Sequence, residues 1–232
     1  TMRGTALDKF IKKDRLFEQA YQEAAGMLDT DAAMYDASVE ALRRSDTAEV
    51  KFDIYDADKG VNRSERGVRK KVMTHLVVSG GTNLASGLSL VSVVIDIERI
   101  GDYTKNIYDL AVHHPLRLEG GPVEENLQKV EALVSSDFKS MIEVFKDRDE
   151  DKARLIMNNY KDGLSDACEE ISNSILTGTV TELNSSDATA VSLYARFLKR
   201  IASHSRNIVT SVVNPFHRIG LSGKITPTRP CG

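Results

Sequence analysis

The chain has 232 residues, of which 41% are hydrophobic and 28% charged, with a formal net charge of −3. That length suits one large domain or two of about 100 residues each, and the balance excludes a disordered, low-complexity or collagen-like chain. The slight acidity also removes the broad electrostatic drive toward nucleic acid.

The best apolar stretch, residues 88–95, ends at Asp96, well short of the roughly 18–20 residues that a membrane span needs. Residues 1–13 carry no signal-peptide apolar segment. Two cysteines, Cys168 and Cys231, are too few for a disulfide framework or a zinc cage, so a reducing cytoplasm is the expected compartment.

Prolines fall only at 115, 122, 215, 227 and 230, which leaves residues 1–114 and 123–214 without any. Proline costs about 3 kcal/mol inside a helix, so two purged runs predict two blocks of long helices. Residues 115–122, with Gly120 and Gly121, are the linker, and the tail after Pro215 reads as irregular.

In the first block Leu7, Phe10, Ile11, Phe17, Ala20 and Tyr21 form one helical stripe, and Met34, Ala37, Ala41 and Leu42 another. The pattern leaves open whether residues 26–31 interrupt this helix. A second helix, capped by Asp46 or Thr47, runs to about Val78 before Ser79-Gly80-Gly81, and a third runs from Asn83 to the His113-His114-Pro115 stop. The second block predicts helices over about 123–146, 149–176 and 187–213, with 178–186 as a loop. No segment alternates as a strand, so the fold class is all-α.

The two blocks resemble each other. Arg99-Ile100 aligns with Arg200-Ile201, Lys105 with Arg206, and Asn106-Ile107 with Asn207-Ile208; Val39–Arg43 aligns with Ile142–Lys146, and Asp46 with Asp149. Matching order and spacing of helices predicts a duplicated three-helix bundle, with residues 1–118 as the first unit, 119–220 as the second and 221–232 as a tail.

Residues four apart share a helix face. Glu98 and Asp102 therefore project together, as do Asp58 and Asn62 on the preceding helix. Side by side, these four offer oxygen ligands suited to Mg, Mn or Fe, while a solvated acidic face is the simpler account of each pair alone. Like charges at this spacing repel, and a metal, Arg99 or Lys105 nearby would relieve that repulsion. The second block has Asp162 and Asp166 in the corresponding place, but Lys199 and Ser203 stand where Glu98 and Asp102 stood. A lysine there would pair with Asp162 or Asp166, so the second site is expected to be degenerate.

The run Glu98-Arg99-Ile100-Gly101-Asp102, followed by Asn106-Ile107, resembles the third-helix signature of PhoU proteins, and 197–208 resembles a weaker second copy. With the helix around Asp58 and the two-block layout, the resemblance covers about residues 28–216. It implies two tandem three-helix bundles, six long helices in all, related by a pseudo-twofold axis. It also implies a cytoplasmic regulator, peripheral to the membrane, that restrains phosphate uptake and phosphate-starvation signalling. The implied partners are a membrane phosphate transporter, its sensor kinase and a second copy of the chain. Iron, manganese or magnesium bound through Asp58, Asn62, Glu98 and Asp102, with a degenerate set at Asp162 and Asp166, is implied likewise.

Two other readings compete. A ferritin-like carboxylate oxidase needs a Glu-x-x-His step on two helices, yet the residues three before the five histidines are Val72, Leu110, Ala111, Ile201 and Asn214. No P-loop follows Gly80-Gly81 and no Gly-x-Ser-x-Gly elbow occurs, so the chain reads as a non-enzyme. A ligand-free helical scaffold is the other reading. Of the remaining features, His204 reads as a surface or inter-bundle residue, Cys168 as an inert thiol, and Tyr103 and Tyr108 as packing between bundles. The basic run Arg63, Arg66, Arg69, Lys70 and Lys71 reads as a solvated face, with a partner surface or anionic headgroups as the alternative.

Overall fold

The computed structural model describes the backbone of residues 6–114, 116–159 and 163–220, and their side chains from residue 15 onward except at 159. Among the described residues there are helices and no strand. The first helix, α1 (Ala6–Arg43), has 38 residues and spans about 57 Å. It passes through Gly26 without a break. That glycine has open space where a side chain would stand, so its cost of about 1 kcal/mol is local and the packing on either side carries the helix across.

The second helix, α2 (Ile54–Ser79), begins later than the sequence suggested. Its cap is Asp53, not Asp46 or Thr47, and the Asp53 carboxylate accepts from the Asp56 N–H. The reason is tertiary: Ile54 is fully buried, and Tyr108 donates to the Ala48 carbonyl at 3.0 Å, holding the preceding segment in a non-helical path. At its other end Gly80, with φ of 68°, takes the left-handed conformation that stops the helix. The next helix, α3 (Leu84–His113), follows at once. Gly87 lets it settle against Leu76 and Val72, 3.1–3.2 Å from where a Cβ would sit.

The second block holds α4 (Glu124–Asp147), α5 (Glu150–Asn159), α6 (Gly163–Leu176) and α7 (Ser185–Val213). The last is capped by Asn184, which accepts from the N–H groups of Ser186 and Asp187. The predicted helix over 149–176 is thus present as α5 and α6, with 160–162 outside the described residues, as is the predicted tail over 221–232. Helices α1, α2 and α3 pack on one another; α4, α6 and α7 do the same, with α5 against α7.

Contact between α3 and α7 joins the two sets. The Asp96 carboxylate, on α3, accepts from His204 Nδ1 at 2.7 Å and Asn207 Nδ2 at 2.9 Å, both on α7. Tyr103 stacks on His204 and receives a hydrogen bond from Arg200 at 3.1 Å. His204 is therefore an inter-bundle residue, as is Tyr103. Tyr108 is not: it meets Tyr55 edge-on within the first set. The linker is tied down by Leu118, whose N–H donates to the Leu42 carbonyl at 2.7 Å, and by Arg43, buried between Glu124 and Glu131.

Candidate functional site

The acidic pairs meet at the seam between α2 and α3. Asp58 and Asn62 lie one turn apart on α2, and the Asn62 amide donates to the Asp58 carboxylate at 3.3 Å. From α3, Lys105 reaches across and donates to Asp58 Oδ2 at 2.9 Å and to Asp102 Oδ1 at 3.0 Å. Arg99 donates to the other oxygen of Asp102 at 3.3 Å. Glu98 shares this face, and its side chain is only 16% exposed. All four residues singled out in the first block thus line one seam, with an ammonium joining Asp58 to Asp102.

A fifth acid was invisible to pair-counting. Asp31 of α1 is fully buried, and neither of its carboxyl oxygens has a hydrogen-bond partner. It lies directly beneath Gly101, where an added Cβ would come within 2.8 Å of its Oδ1. Glycine at that position allows α3 to pass over the carboxyl group. Desolvation first, then the charges of Asp58, Glu98 and Asp102, raise the Asp31 pKa well above the ordinary carboxylate range. One signal was legible: Asp31 occupies a position on the α1 stripe between Leu28 and Met34, both fully buried, where an apolar residue is the rule.

The electrostatics follow from this crowding. Burial, then the neighbouring Asp102, raises the Glu98 pKa, while Arg99 works against the shift. Burial alone would push the Lys105 ammonium down, but its hydrogen bonds and attraction to Asp58 and Asp102 prevail and hold its pKa above the usual value. The cluster is therefore an oxygen-rich, partly desolvated site that requires positive charge, and Lys105 supplies it from within the chain.

For a metal, the donors fit in kind: carboxylates and an amide suit hard divalent cations, and the unpartnered Asp31 carboxyl adds to that chemistry. In the arrangement seen, no group of three or more His, Cys, Asp or Glu side chains is drawn together to hold an ion, among the described residues. Lys105 holds the place between Asp58 and Asp102 instead.

The second block differs. Asp166 is exposed, Asp162 lies outside the described residues, and Ser203 is exposed. Of the two partners its position suggested, Asp162 and Asp166, the described one is not used: Lys199 pairs with Glu169. The reason is register: Glu169 is the carboxylate of α6 that faces Lys199, whereas Asp166, one turn earlier, points to water. Between them Cys168 is buried, and that burial, above all, pushes its thiol to about 11, leaving it inert at neutral pH.

The PhoU domain model matches residues 25–111 and again 127–212, together well over half of the chain. This chain belongs to the PhoU family. The fold agrees. The crystal structure of PhoU from Pseudomonas aeruginosa superposes with a TM-score of 0.64 at 18% identity, covering 90% of this chain and 97% of that one. The phosphate transport system regulatory protein PhoU from Streptococcus pneumoniae superposes with a TM-score of 0.65 at 20% identity, covering 88% and 95%. No curated protein matches the chain. The first PhoU match contains every residue of the α2–α3 cluster and also Asp31; the second contains Asp162, Asp166 and Lys199. PhoU proteins are phosphate-transport regulators rather than catalysts, and no described helix here is long and apolar enough to cross a membrane.

Proposed function

We propose that this PhoU protein restrains phosphate uptake and phosphate-starvation signalling from the cytoplasmic side of the membrane, as a homodimer that contacts a phosphate transporter and its sensor kinase. The observation that carries the reading is the PhoU match in both halves of the chain. The helical architecture supports it: broad faces of long helices suit protein contacts. The test is affinity purification of the tagged chain from membranes of cells grown in high and in low phosphate. Transporter subunits are expected to co-purify in at least one condition; their absence from both overturns the reading.

The α2–α3 cluster is the proposed metal site within this function. Asp58, Glu98 and Asp102, with the Asn62 carbonyl oxygen, would hold manganese, iron or magnesium, which would supply the positive charge that Lys105 now contributes. Titration of manganese into the wild type and Asp102→Ala, followed by calorimetry, checks this. Weaker binding by the variant is expected, and equal binding by both refutes the site.

A further inference from the structure

The exposed edge of α2 carries a feature that the phosphate-regulator reading does not use. Lys59, Arg63, Arg66, Lys70, Met73 and Val77 follow one another at steps of four and three residues, and all six are exposed. Such spacing puts them in one line along the helix, about 27 Å from first to last. Among the described residues none of the four cations forms an ion pair, and Asp56, one turn before Lys59, makes none with it. The neighbours just off this line behave differently: Arg69 is paired with Glu65, and Lys71 with Glu23. Four like charges on adjacent turns repel one another, and no ion pair offsets that repulsion among the described residues, in a chain whose net charge is −3.

The line runs into an apolar tip. Val77 is 77% exposed, Met73 63%, Val78 54% and Leu84 52%, grouped around the tight turn between α2 and α3. Leu88, one turn into α3, extends it. Aliphatic side chains this exposed and this concentrated mark a contact surface. A stripe of unpaired cations leading into an aliphatic tip matches an interface that is anionic at its surface and hydrocarbon beneath.

We propose that this α2 stripe and the α2–α3 turn bind directly to an anionic lipid surface, with the cations on the headgroups and Val77, Val78 and Leu84 entering the acyl boundary. Charge complementarity selects the occupant: an apolar protein groove would accept the tip but give the four cations no partner. The lipid contact stands apart from the transporter reading, because it requires no other protein.

Co-sedimentation of the full chain with vesicles of phosphatidylcholine alone, or mixed with phosphatidylglycerol, tests it. Binding is expected only to the phosphatidylglycerol vesicles and is expected to weaken at high salt. Each cation contributes about fivefold in affinity, so changing Lys59, Arg63, Arg66 and Lys70 together to Gln should lose far more than tenfold. Val77→Ser with Leu84→Ser should also weaken binding several-fold, with unfolding midpoints near wild type because every altered residue is exposed. Absence of wild-type binding to the anionic vesicles overturns the proposal and leaves an acidic protein partner as the stripe's occupant. Unchanged binding by the tip variant overturns it too, by reducing the contact to charge alone. Neither result bears on co-purification of the transporter.

Discussion

Replacing Asp31 with Asn isolates the cost of a buried, unpartnered carboxyl group. In the unfolded chain this group releases its proton near pH 3.9. In the folded protein desolvation and the charges of Asp58, Glu98 and Asp102 keep the proton on to a higher pH. Below the unfolded value both states are protonated and ionisation costs nothing. Above it the folded state binds a proton that the unfolded state lacks, so stability falls as pH rises, until the folded group itself ionises and the penalty is complete. The limiting slope is about 1.4 kcal/mol per pH unit. Asp31→Asn keeps the size and removes the ionisation, so the variant should gain on the wild type along that slope as pH rises from about 4. Urea unfolding of both proteins, in chelator and at closely spaced pH values, gives the difference directly. In thermal unfolding each 1 kcal/mol corresponds to about 2–4 °C for a chain of this length. A stability difference that does not change with pH would show that Asp31 titrates alike in both states, and the electrostatic account of the cluster would fail.

Gly101→Ala places a Cβ within 2.8 Å of the Asp31 carboxyl and should destabilise by about 1–2 kcal/mol. Adding Asp31→Ala should recover most of that loss, and simple additivity of the two changes would contradict the contact. Arg43→Met leaves Glu124 and Glu131 without their buried guanidinium and should cost about 3–5 kcal/mol at neutral pH by urea unfolding; a loss below about 1 kcal/mol would mean that water replaces the ion pair. In a Cys231→Ser background, the Cys168 thiol, raised to about 11 by burial, should react with a thiol reagent at pH 8 on the order of 100-fold more slowly in the folded protein than in urea. Comparable rates in both would place it at the surface.

The helical blocks were legible without the fold, because the signals that define them are local. Freedom from proline over 1–114 and 123–214 and apolar spacing of three and four marked nearly every helical segment, and Gly80 and Asn83 marked the turn between α2 and α3. Repeated residues also made the duplication readable, and spacing of four gave the acidic pairs. Tertiary structure decided what those residues meet. The start of α2 moved to Asp53 because Ile54 enters the core and Tyr108 holds the segment before it. Lys199 found Glu169 instead of Asp166 because the rotation of α6 against α7 selects the facing carboxylate. Asp31 joined the cluster from a third helix, more than 60 residues before Glu98 in the chain. Periodicity along one helix fixes which residues share a face, but the pairing of faces depends on how the helices cross. That crossing is set by side-chain packing among all of them at once.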